Sequence, residues 1–358
     1  MLNVLFTLDY EIHGNGEGCP YDLMVEPTGR LMDFFDKFGA KLTIMADVAE
    51  ILKFKEYQER HGQDDYHYEA ITEQLREAIR RGHDVQLHLH ASYFNAHHEN
   101  GRWHQDWSEY DFAGLPLERL NQIVRLGKQF LENLLQPVDP KYECIAFRAA
   151  NWSMSPSRNV VRALLDNNIR VDTSVFKYGR REGIVSFDYS NAHSELVPWL
   201  ADENDICRQS VSGKLIEAPI YCERRWIGAF LTPSRFYRAR MTRAHSLTND
   251  YSPGTVGASA RKSPGEKFVK MLSILSKKHA WKADFNQCTG RQLIAALKRA
   301  AVKYADQTSE LPFILIGHSK QFTRTNEQSL SPFLEFVRAD GAHFRFAKLS
   351  ETTVGRGN

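Results

Sequence analysis

The chain has 358 residues, 42% hydrophobic and 25% charged, which excludes a disordered or fibrous protein and allows a large core without disulfide or metal staples. The net charge of +2 conceals an asymmetry: residues 224–303 hold 17 basic and 3 acidic side chains, a balance of +14 against −12 elsewhere, which points to a localised anionic partner. Five cysteines, an odd number with no C-x-x-C pair, argue against a disulfide framework or zinc ribbon and fit a reducing compartment.

The first apolar run, Leu2–Leu8, meets Asp9 and Glu11 at once and has no basic n-region, so it reads as a buried strand rather than a signal peptide. No segment approaches the roughly 20 apolar residues of a membrane span, and a cytoplasmic protein is expected. Further strand-like runs lie at Lys41–Ala46, Asp84–Leu89, Cys144–Phe147 and Ile169–Val171. They alternate with helical stretches at Thr28–Phe38, Tyr68–Arg81, Leu117–Leu135 and Ser157–Asn167. Ile71, Leu75 and Ile79 have helical spacing, and Gly39 and Gly82 close two of these helices. Residues 244–265, rich in Ser, Gly and Pro, read as a long loop. The second set comprises strands Leu215–Ile220 and Pro312–Ile316, helices Gly290–Tyr304 and Glu327–Arg338, and a terminal strand His343–Phe346. Alternating strands and helices predict parallel pairing through right-handed crossovers, in a barrel or an open doubly wound sheet.

The polar residues fall at strand ends. Asp9 and Glu11 follow the first strand, Asp47 the second, and His88 and His90 end the third. Arg148 ends the fourth, Asp172 and Ser174 the fifth, and His318 follows Pro312–Ile316. In a parallel barrel all carboxyl ends open on one face, where active sites sit. Residues i and i+2 of a strand share a face, so Asp9 with Glu11, and His88 with His90, can point into one cavity. Two imidazoles and a carboxylate suit Zn²⁺ or a similar divalent ion. Taken singly, each residue also has a bland reading as a turn cap, a structural ion pair or a hydrogen-bonded histidine.

The motifs, in this order, resemble those of the NodB-like polysaccharide deacetylases, carbohydrate esterase family four. Thr7-Leu8-Asp9-Tyr10-Glu11 resembles the family's Thr-Phe-Asp-Asp, and Gly82 to His88 resembles the strand leading to the metal histidines. Arg148 with Trp152 and Pro156 resembles the third motif, Asp172-Thr173-Ser174 the fourth, and Leu315-Ile316-Gly317-His318 the last. Gly14-Asn15-Gly16 and the Trp103/Trp107 loop are similar to the WbmS-like branch linked to O-antigen clusters. The resemblance implies a deformed (β/α)7 barrel, one deacetylase-like domain over residues 1–358 with a basic, partly loop-like insertion at about 223–305. It also implies a divalent metal (Zn²⁺ first, then Co²⁺, Ni²⁺ or Mn²⁺) and removal of acetyl groups from sugars. Two departures stand out: Ser92 occupies the second metal-histidine position, so either His90 replaces it or the site differs, and Tyr10 replaces the second Asp, leaving Glu11 as candidate ligand.

On this reading Glu11, His88 and His90 hold the metal, Asp9 is general base, Arg148 keeps Asp9 ionised, His318 is general acid, and Asp172 orients His318 or Arg148. Asp9 and Glu11 could exchange roles. Trp103, Trp107 and Trp152 are candidate sugar platforms. Arg235 and Arg238, within the basic stretch, are candidate contacts for a phosphate-linked substrate such as a nucleotide-sugar or lipid-linked glycan, because Arg offers a fork suited to phosphate. Alternatives are a same-fold amidohydrolase on a non-sugar amide, a serine hydrolase using Gly317-His318-Ser319, or an inactive barrel that binds anionic glycan. The serine reading lacks the G-x-S-x-G elbow, since position 321 is Gln.

Overall fold

Side chains of strand β1 (Leu2–Tyr10) alternate between two faces. Val4, Phe6, Leu8 and Tyr10 enter the large apolar core beneath the helices. Leu5 instead joins a small second cluster with Met45, Ala146, Val171, Ala218, Ile314, Ala347 and Leu349. The computed structural model describes residues 1–12, 14, 16–236 and 276–352.

After β1 come α1 (Glu26–Asp36), β2 (Leu42–Asp47), α2 (Val48–His61), α3 (Tyr68–Arg80) and β3 (Asp84–Leu89). A hairpin of β4 (His97–Glu99) and β5 (Arg102–His104) precedes α4 (Leu117–Leu135), β6 (Ala146–Ala149), α5 (Ser157–Asp166) and β7 (Val171–Asp172). Short strands follow: β8 (Arg180–Arg181), β9 (Phe187–Asp188), β10 (Trp199–Leu200), β11 (Ile216–Glu217), β12 (Cys222–Arg225) and β13 (His279–Lys282). The remaining main elements are α6 (Gly290–Lys303), β14 (Leu311–His318), α7 (Arg324–Ala339) and β15 (Phe344–Ala347).

The main sheet runs β10-β11-β7-β6-β3-β2-β1-β14, with β15 beside the first half of β1. From β11 to β14 every pairing is parallel. The sheet curls until the chain just past β11 meets β14 through a parallel bridge between Ile220 and Ile314. Seven parallel strands thus enclose the small apolar cluster, in the deformed (β/α)7 barrel that the sequence predicts. Leu349 closes the amino-terminal end of the barrel, its amide donating to Thr43 Oγ1 at 3.0 Å while Ser350 N donates to the Asp84 carboxylate at 3.1 Å.

Local sequence explains most elements. Asp47 accepts from Ala49 N and starts α2, Thr289–Gln292 forms a capping box at α6, and Gly82, at φ +74°, ends α3 in the left-handed region. The run Ile169–Val171 is shortened to Val171–Asp172 because Arg170 and Val171 both donate to the Ile145 carbonyl, an irregular entry to the strand. The described ends of the basic stretch are tied to the barrel: β12 pairs with β13, Asp284 bridges to Ile316, and Phe285 N donates to the Ile316 carbonyl. Residues 244–265 lie outside the described residues. Among the described residues no helix is long and apolar enough to cross a membrane.

Candidate metal centre and active site

Parallel register brings the strand ends to one level. Asp9 stands opposite His318 across β1 and β14, Asp47 opposite His88 across β2 and β3, and His88 opposite Arg148 across β3 and β6. Tyr10 turns to the other face and donates to Gln74 at 2.8 Å, so Asp9 and Glu11 are left on the inner one.

Arg148 is 0% exposed, and its guanidinium is fully engaged. One amino group donates to Asp9 Oδ1 at 2.5 Å, the other to Thr7 Oγ1 at 2.7 Å, and Nε to the Thr173 carbonyl at 3.1 Å. Burial alone would raise the Asp9 carboxyl; Arg148, His318 and His88 outweigh it and hold the group below its ordinary value.

Glu11 lies between imidazoles and an ammonium. Its Oε2 is 3.2 Å from His88 Nε2 and 3.4 Å from His90 Nδ1, and its Oε1 accepts from Lys320 Nζ at 2.7 Å. Against the opposing effect of burial, Lys320, His90 and His88 hold Glu11 well below the usual carboxylate range. His88 Nδ1 donates to the Arg148 carbonyl at 2.8 Å, which can only accept, so Nε2 carries the ring's lone pair toward Glu11. A lone pair facing a carboxylate oxygen needs a cation between them, either a proton or a metal ion. His90 Nδ1 lies 2.6 Å from Asp47 Oδ2, the carboxylate–imidazole arrangement that orients metal-ligating histidines.

Donor atoms of Glu11, His88 and His90 lie within 4.8 Å of one another, as do those of Asp47, Glu50 and His90. The Glu11, His88 and His90 donor set suits a divalent ion chemically: His88 offers Nε2, and His90, whose Nδ1 is held by Asp47, would have to offer its Nε2. Glu50, buried and accepting from Ile12 N at 2.9 Å, is pushed well up by burial and by Asp47 and Glu11. His318 Nε2 lies 3.5 Å from Asp9 Oδ2 and 3.9 Å from Glu11 Oε1, and its backbone N–H donates to Asn286 at 2.6 Å. Its Nδ1 is buried without a hydrogen-bond partner among the described residues. Burial lowers the His318 imidazole despite Asp9 and Glu11.

The other predicted residues sit further out. Asp172 accepts from Ser174 Oγ at 2.8 Å and stands opposite Glu217. Arg148 reaches the neighbouring Thr173 carbonyl instead. Trp103, 4% exposed, packs among Phe54, Tyr57, Tyr66 and His98, so it is a core residue of the β4–β5 hairpin and no open platform for a sugar. Trp107 is half-buried beside Tyr110, and Trp152 carries the Lys282 ammonium 3.5 Å from its ring centre. Arg235 lies over the Phe230 ring at 4.7 Å, and Arg238 lies outside the described residues. Sequence reasoning left Thr7, Glu50, Asn286 and Lys320 unassigned. Glu50 had one signal, its position three residues after a strand-end Asp, and Lys320 stands at i+2 from His318.

No protein-family profile matches the chain, and neither does any curated protein sequence. Among solved structures it is similar to a protein from Parabacteroides distasonis described as a glycoside hydrolase/deacetylase, at 12% identity and TM-score 0.54, covering 98% of this chain and 70% of that one. A polysaccharide deacetylase from Mycobacterium smegmatis aligns at 14% identity and TM-score 0.48, over 98% of this chain and 88% of that one. At such identities the shared property is the fold.

Proposed function

We propose that the protein is a metal-dependent hydrolase that removes an acetyl or related acyl group from an acylated sugar. Its setting is cytoplasmic surface-polysaccharide assembly of the WbmS-like, O-antigen type. The observation that carries this reading is the meeting of an Arg148-paired Asp9, a Glu11/His88/His90 donor set and His318 on one barrel face. The Parabacteroides neighbour, described as a glycoside hydrolase/deacetylase, agrees with the reaction class.

A divalent ion held by Glu11, His88 and His90, Zn²⁺ first, would polarise the acyl carbonyl and lower the pKa of a water molecule. Asp9, kept ionised by Arg148, takes a proton from the attacking water. His318 is 3.5 Å away, close enough to receive that proton and deliver it to the departing amine nitrogen, so that water and amide become acetate and amine. Arg148 is a positioning residue, because each of its three guanidinium nitrogens is engaged within the protein.

The test is acetate release from acetylated sugars by purified protein. Asp9→Asn and His318→Ala should each lose roughly 10²–10⁴-fold in turnover while staying folded. Near-wild-type turnover in either removes that residue from the mechanism. Ser319 is buried and its Oγ has no hydrogen-bond partner among the described residues, so Ser319→Ala should be mild. One observation favours a second reading: Lys320 already neutralises Glu11 at 2.7 Å, as a barrel that binds sugar without metal would require. Absence of both metal and acetate release would establish that reading instead.

A further inference from the structure

The basic stretch contributes to a second cavity, separate from the metal centre. It encloses about 780 Å³, within the range of small-ligand sites and much larger than a lone phosphate needs. Its walls come from the loop after β7 (Lys177 and Tyr178), from the loop after β9 (His193), from Arg224 on β12, and from Lys278 and His279 where β13 begins; among the described residues that line it none is acidic. Arg224 sits 5.3 Å from the centre of the Tyr178 ring, and Lys177 5.8 Å. Lys278 approaches Trp226 at 5.8 Å. Among the described residues neither Arg224 nor Lys278 has a carboxylate partner. Lys177 donates to the His193 carbonyl at 3.3 Å and has Glu195 4.0 Å away, but Glu195 also pairs with Lys303.

Three cations converge on this cavity, and two of them, Arg224 and Lys278, have no carboxylate partner among the described residues, which makes it a favourable place for an anion. Lys177 and Arg224 of the cavity follow the parallel strands β7 and β11, whose carboxyl ends lie on the face of the metal centre. Thr173, whose carbonyl accepts from Arg148, precedes Lys177 by four residues, which is at most about 14 Å of chain. Lys282, at the far end of β13, reaches back over Trp152 at 3.5 Å and Phe176 at 4.4 Å.

We infer that this cavity binds a diphosphate group, the phosphorylated end of the sugar substrate, with Arg224, Lys177 and Lys278 as its contacts. The inference rests on the deacetylase reading for the word substrate, but not for the binding. Arg235, suggested by sequence for this task, does not line the cavity.

The experiment is calorimetric titration of the full-length protein with inorganic pyrophosphate, UDP and farnesyl diphosphate at low and high salt. Wild-type protein should bind at least one of them, more weakly at high salt. Arg224→Ala/Lys278→Ala should weaken binding by about tenfold or more, since it removes two of the three cationic contacts, while circular dichroism and Tm stay unchanged. Preference for UDP assigns the diphosphate to a nucleotide, and preference for farnesyl diphosphate to a lipid carrier. Equal affinities in wild type and double variant, or no binding to any of the three, overturn the inference. Acetate release from a free acetylated sugar, measured on the same double variant, keeps the two readings apart. Its absence in wild type with diphosphate binding intact refutes the deacetylase alone, and its presence without diphosphate binding refutes the cavity alone.

Discussion

Replacing Arg148 by Met keeps roughly the length of the side chain and removes the charge and all three of its hydrogen bonds. Asp9, 4% exposed, then loses its 2.5 Å partner where little solvent can replace it. Stranding one member of a buried ion pair costs about 3–5 kcal/mol. Loss of the donors to Thr7 and the Thr173 carbonyl adds about 1 kcal/mol each. Adding Asp9→Asn to Arg148→Met removes the stranded charge, so the double variant should be more stable than Arg148→Met alone by about 1–3 kcal/mol, although it carries one more substitution. It should remain below wild type, because Thr7 and Thr173 stay unserved. Urea unfolding followed by tryptophan fluorescence, on protein stripped of metal with a chelator so that ligand linkage drops out, measures each corner of the cycle. If the two substitutions simply add, Asp9 does not depend on Arg148 and the electrostatic account of the centre is wrong.

Elemental analysis should find about one divalent ion per chain, and His88→Ala/His90→Ala should lose it; full retention would move the metal elsewhere. Gly317→Ala would place a methyl group against the Phe285 ring and 2.6 Å from Asn286 Oδ1, the acceptor for His318 N–H, so acetate release should fall well before metal binding does. Burial pushes the His83 imidazole down to about 4, against the attraction of Asp36. The unfolded chain then binds more protons between pH 4 and the ordinary value of 6.5, so stability falls as pH drops through that window and levels off below it. The contribution is at most about 3 kcal/mol, and the difference between wild type and His83→Asn across that window should show it. A pH-independent difference would mean that His83 is charged in the fold.

The barrel strands were legible because each inner run is short, apolar and followed by a polar residue. Asp9, His88, Arg148 and His318 were found by that rule, and the parallel register puts all four in opposed pairs, Asp9 with His318 and His88 with Arg148. Helix α2 was missed because only Val48, Ile51 and Phe54 mark its buried side, while its second half, Lys55 to His61, is polar. Lys320 and Glu50, each with only a weak positional signal, were missed for a different reason. Each becomes part of the centre through a contact across the fold, to Glu11 and to Ile12 N respectively, and no local pattern encodes such a contact. Trp103 was misread because an aromatic in a polar loop looks exposed until the hairpin folds it onto α2.

The pairing of β1 with β14 and β15 also shapes how the chain comes off the ribosome. About 300 residues separate β1 from β14, the neighbour that runs along its whole length. At ~5–20 residues per second, the nascent strand waits roughly 15–60 s for that neighbour. During that interval Leu2–Leu8 is an unpaired sheet edge, the kind of segment that joins other chains. Asp9 and Glu11 at its end place charge beside the apolar run well before His318 and Lys320 exist to meet them. The carboxylates that later serve the centre thus act first as gatekeepers against premature association.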